Sequence, residues 1–109
     1  MAGIKAPKFY ETLRRNQREV FDALETLGQA LRGSGPLDER ASHLVQLAAA
    51  AAIRSEGAVH SHVRRALAVG VSPDEIRHAL LLLLSTIGLP GTVAALSWAE
   101  DVISKKRKK

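Results

Sequence analysis

The sequence predicts a small all-α domain, and three observations carry that prediction. First, apolar residues recur at steps of three, four and seven, and no run alternates with a period of two. Second, hydrophobic residues make up 46% of the 109 residues, but aromatics only 4%. The apolar mass is therefore Ala, Leu, Val and Ile, which suits helices packed closely on small side chains. Third, Gly, Pro and Ser clusters punctuate the chain at helix-length intervals. Charged residues at 25% are ordinary for a folded domain and exclude disorder.

The elements follow in order. A first helix is expected from Pro7 to about Arg32. Its apolar stripe is Leu13, Val20, Leu24, Leu27 and Leu31, with Arg14, Arg15, Arg18, Glu19 and Glu25 largely off it. Gly33-Ser34-Gly35-Pro36 breaks the chain. Asp38 can cap a second helix reaching about Arg54. Its centre, LVQLAAAAAI, is so bare of polar residues that burial on several sides is expected. A third helix runs from Glu56 to Ala68, with Gly70 as the residue that ends it. Ser72-Pro73-Asp74-Glu75 is the clearest helix start. Ser72 caps, Pro73 fits the first position, and Glu75 completes a capping box. The fourth helix carries HALLLLLSTI to Gly88, and a fifth opens at Pro90 and runs through Trp98 to about Ser104. One domain over residues 1–104 and a basic tail over 105–109 result. The second and fourth helices call for burial nearly all round, more than one small domain supplies, so homo-oligomerisation is expected.

Charge and composition narrow the function. The net charge is +5, but the last five residues, KKRKK, carry five positive charges. Without them 11 basic residues face 11 acidic ones. A nucleic-acid surface spread over the fold is therefore not expected; the tail reads as a solvated terminus. The absence of cysteine removes disulfides, thiolate metal sites and thiol redox chemistry. No secretory signal is visible, and the longest apolar run, Ala79 to Leu84, is too short to span a bilayer. A cytoplasmic protein without membrane contact is expected. No Gly-rich phosphate loop, nucleophile elbow or paired carboxylates on an apolar face stand out.

Four histidines remain: His43, His60, His62 and His78. His60 and His62 form His-x-His, but residues two apart on a helix point about 200° apart, so they face different sides. Ser55, Ala58, Val59, His62 and Ala66 share an apolar face. There His62 is either a satisfied core histidine or a reactive group in a small pocket. Glu56, His60 and Arg64 share the polar side. They form either a surface ion pair or part of a site. His43 lies at the edge of the second helix's stripe beside Leu47. His78 and Trp98 carry no chemistry in this reading; Trp98 reads as core or subunit interface.

In four pieces, the stretch from Leu37 to Trp98 resembles the carboxymuconolactone decarboxylase and alkylhydroperoxidase D-like superfamily. The pieces are Leu37-Asp38-Glu39-Arg40 opening an Ala-rich helix, the histidine segment continuing from His62 to Val71, Asp74-Glu75-Ile76 before the leucine-rich helix, and Ile87-Gly88-Leu89-Pro90 before the last one. The resemblance covers roughly residues 37–103 and implies an oligomeric bundle of five to six helices. In the peroxidase branch two cysteines precede a histidine. Aligned on His62, their positions hold Ser55 and Ala58, and the position of an assisting carboxylate holds His43. Cysteine-dependent peroxidase activity is thereby excluded. The decarboxylase branch keeps the histidine that aligns with His62 and needs no cofactor. The Glu-x-x-x-His-x-His pattern of residues 56–62 looks like a distinct subgroup.

The resemblance implies that the second and third helices pack with His43 and His62 facing a common pocket near Ala58. Glu56 and His60 would flank it or reach it from a neighbouring subunit, in a trimer or hexamer. The resulting expectation is a lyase or isomerase-type enzyme acting on a small organic acid or lactone. His62 is the general acid/base, His43 assists, Glu56 orients His60, and Arg64 or Arg65 attracts a carboxylate. Two alternatives stand beside it. One is a Zn or Fe site built from His43, His62 and His60 or Glu56. The other is a non-catalytic oligomeric module whose basic tail meets a partner.

Overall fold

The computed structural model describes residues 8–107, all of whose regular structure is helical. The described residues form six helices of nine residues or more and one single helical turn. They are α1 (Lys8–Asn16), α2 (Arg18–Arg32), α3 (Glu39–Ala52), α4 (Glu56–Ala68), α5 (Pro73–Leu81), the turn α6 (Leu84–Ile87) and α7 (Leu89–Arg107). The expected all-α class holds. None of these helices is long and apolar enough to cross a membrane. The chain divides into two compact units, with α1 and α2 in one and α3 to α7 in the other.

In the first unit, the single expected helix is two. Gln17, at φ −122° and ψ 50°, leaves the helical region, although its N–H still donates to the Leu13 carbonyl at 2.8 Å. The bend has a packing reason. Eleven residues of straight helix would separate Tyr10 and Phe21 by about 16 Å along the axis. Their rings instead meet edge to face, with centroids 5.5 Å apart and an interplanar angle of 77°. Helix α2 keeps the apolar stripe read from the sequence, but buries no residue: Val20, Leu24, Leu27 and Leu31 are all exposed.

In the second unit, α3, α4, α5 and α7 pack around one core. Leu47, Val59, Val63, Ile76, Leu80 and Ile103 fill it, and Ala50, Ala51, Ala66, Ala95 and Ala99 let the backbones approach closely. Within a single chain each of the two apolar helices is buried on one side. In α3, Leu47, Ala50 and Ala51 face inward, while Val45 is exposed. Likewise the leucine run buries Leu80 and leaves Leu81, Leu82 and Leu84 exposed. A helix turns 100° per residue, so one core face admits one leucine in three or four whatever the composition. The run also breaks before Gly88. The tight bonds Leu83 N–H to Leu80 O (3.1 Å) and Thr86 N–H to Leu83 O (2.8 Å) separate α5 from α6.

The punctuation read from the sequence explains most boundaries. Gly70, at φ +94°, ends α4. Val71 N–H reaches back to Ala66 O and Gly70 N–H to Leu67 O, the paired bonds of a Schellman motif. Ser72 and Glu75 form the capping box on α5. Helix α3 stops at Ala52 through the same Schellman bonds, Ser55 N–H to Ala50 O and Arg54 N–H to Ala51 O. There Arg54 takes the left-handed conformation, at φ 61°, that glycine usually fills. Helix α7 continues past Ser104 into the first tail residues and runs to Arg107; the end of the tail, 108–109, lies outside the described residues.

Two arginines tie the helices together. Arg40 of α3 donates to both carboxylate oxygens of Glu75 (2.9 and 3.0 Å) and to the Gly70 carbonyl. The Ser72 backbone N–H, together with Arg40, holds the Glu75 carboxyl below its ordinary range. Arg77 of α5 donates to Glu100 of α7 through Nε (2.6 Å) and Nη2 (3.2 Å), and to Asp74 at 2.9 Å. These bonds, Glu100 first, push its guanidinium further toward the charged form.

Candidate functional site

Helices α3 and α4 are antecedent to the site because they carry all four residues singled out beforehand. Ser55 starts α4, its Oγ accepting the Ala58 N–H at 3.3 Å. From this start, α4 turns Val59, Val63 and Ala66 into the core. His62, beside them, is half-buried and faces α3. His43 of α3 is buried. The two rings approach to 6.2 Å between centroids at an interplanar angle of 44°. Ala58, one turn before His62, is half-buried and adds little bulk beside it.

His60 points elsewhere, as the two-residue spacing requires. Its side chain is 12% exposed, and its Nε2 lies 3.0 Å from Oδ2 of Asp101 on α7. Oε2 of Glu56, one turn earlier on α4, is 4.0 Å from the same nitrogen. Thus the structure brings His43 to His62 and Glu56 to His60, as two pairs. Among the described residues, three metal-ligating atoms converge only at Glu56, His60 and Asp101, all within 4.8 Å of one another. His43 and His62 are not in that set. Arg64 is half-buried on α4, Arg65 is exposed, and His78 is exposed on α5.

Asp101 is the residue that sequence reasoning missed. Its signal was faint: Glu100-Asp101 interrupts an otherwise apolar helix, and two acids there need basic partners. Each finds one across a helix interface, Glu100 in Arg77 and Asp101 in His60.

The described residues are all-α, and His43 and His62 face each other across α3 and α4. The chain belongs to the carboxymuconolactone decarboxylase family, whose model matches residues 18–101. It is also 28% identical over 89 residues to an uncharacterised protein of Methanocaldococcus jannaschii, a match covering 82% of this chain and 73% of that protein. No solved structure matches the chain.

Proposed function

We propose that this protein is a cofactor-free enzyme of lyase or isomerase type, moving protons on a small organic acid or lactone with His62 and His43. The observation that carries the reading is the approach of these two rings from adjacent helices, one buried and one half-buried. A ring in its neutral form accepts the proton α to the substrate carbonyl, and the electron pair passes to the carbonyl oxygen as an enolate. The imidazolium so formed returns the proton to carbon. Where the substrate is a β-keto carboxylate, CO2 departs with cleavage of its C–C bond, and an imidazolium protonates the carbanion carbon. His62 is assigned the transfer and His43 its support. Arg65, three residues after His62, shares its side of α4 and draws a carboxylate toward the pair, with Arg64 as the second cation. His60, turned to Asp101, takes no proton in this scheme.

The protein acts as a homo-oligomer, a trimer or hexamer, in this reading. Support comes from the uncovered stripe Val20, Leu24, Leu27 and Leu31 and from the exposed leucines 81, 82 and 84. The test is turnover of a panel of small lactones and keto acids by wild type and by His62→Gln. A loss of roughly 100-fold or more is expected, the usual range for a general acid/base. His78→Gln leaves turnover unchanged. Equal turnover by wild type and His62→Gln overturns the mechanism.

A further inference from the structure

The geometry points to a divalent transition-metal site at Glu56, His60 and Asp101, separate from the His43–His62 pair. Two helices build it. Glu56 and His60 stand one turn apart on α4, and Asp101 comes from α7, which packs against α4. The imidazole is largely enclosed, with a side chain 12% exposed, whereas the carboxylates are open to solvent at 58% and 46%. A fixed nitrogen thus faces two oxygens that an ion reaches from water.

The spacing fits an ion better than it fits hydrogen bonds alone. His60 Nε2 lies 3.0 Å from Oδ2 of Asp101; in the tautomer protonated on Nδ1 it presents a lone pair to an ion. Glu56, at 4.0 Å, lies beyond hydrogen-bond range of that nitrogen. All three ligand atoms nevertheless fall within 4.8 Å of one another. Around a tetrahedral ion with bonds of about 2.1 Å, ligand atoms stand about 3.4 Å apart. The two separations from His60, 3.0 and 4.0 Å, bracket that value, and the two carboxylate oxygens, within 4.8 Å of each other, would be drawn together by rotation of exposed side chains. One imidazole nitrogen with two carboxylate oxygens suits Zn2+ and its neighbours rather than Mg2+ or Ca2+, which prefer all-oxygen shells. Two carboxylates and a neutral imidazole also offset the ion's double charge. With three protein ligands, water completes the shell and leaves a position open to a further ligand.

The proposal is independent of the acid/base reading, and its test does not use turnover. Untagged, chelator-stripped full chain is titrated with ZnCl2 by calorimetry, and its melting temperature is followed with and without Zn2+. One ion per chain is expected, with a higher melting temperature. His60→Gln keeps a donor toward Asp101, and Asp101→Asn keeps the shape of the carboxylate. Each should weaken Zn2+ binding at least tenfold and abolish the thermal shift while preserving the helical circular-dichroism spectrum. His43→Gln should bind Zn2+ like wild type. Absence of saturable binding overturns the proposal. So does binding that survives both His60→Gln and Asp101→Asn, or binding lost in His43→Gln instead.

Discussion

Leucines 80 and 82 are two residues apart in a run of five, yet the structure assigns them opposite energetics. Leu80 is 0% exposed and Leu82 is 63% exposed. Leu80→Ala removes three buried carbons, worth ~0.8 kcal/mol each or ~2.4 kcal/mol together. The cavity left in a core already lined by alanines adds to this, giving ~3–4 kcal/mol within the range known for buried Leu→Ala changes. For a domain of this size that lowers the melting temperature by roughly 10–20 °C. Leu82→Ala removes the same atoms from a solvent-facing position and should change chain stability by less than about 0.5 kcal/mol. Urea and thermal melts of both variants, at one chain concentration to hold association constant, measure the contrast. Equal losses from the two substitutions, or a loss under about 1 kcal/mol for Leu80→Ala, would refute the orientation of α5 and the core built on it.

Three further outcomes follow from named contacts. Arg54→Gly relieves the left-handed backbone at φ 61°; it should raise stability by about 0.5–1 kcal/mol in a chemical melt, the strain relieved less the added chain entropy. The Glu75 carboxyl is held below its ordinary value of 4.5, so its stabilisation is present above that value and is lost as pH falls through the lowered one. Glu75→Gln should therefore flatten the acid side of the stability profile measured from pH 2 to 6, the range about this titration. Placing Asp at both Leu24 and Leu27, which are exposed on the α2 stripe, should shift sedimentation toward the monomer. The same variant should retain its helical circular dichroism.

The fold class and most helix ends were legible because they rest on local chemistry. The Ser72–Glu75 box and Gly70 act within a turn of themselves, and both are where the sequence puts them. What failed depends on contacts distant in sequence. No breaker marks Gln17, and the bend there serves a ring contact between Tyr10 and Phe21. Nor does a breaker mark Leu82, and composition alone does not say which leucines of the run a single chain buries. Within the site, the divergence of His60 and His62 was readable from helix geometry. The pairing of His43 with His62 was implied by family resemblance. Asp101 lies 41 residues from His60, and no short-range pattern announces such a partner.

The proposed proton transfer by His62, supported by His43, on a small acid or lactone is open to direct test. The most direct measurement is NMR of a lactone and β-keto acid panel in D2O, following deuterium incorporation at carbon and CO2 release. Wild type and His62→Gln are compared at equal chain concentration. Catalysed exchange or decarboxylation of at least one compound by wild type is expected, with a drop of roughly 100-fold or more in the variant. Identical rates for the two proteins, or rates no faster than buffer for wild type across the panel, would contradict it.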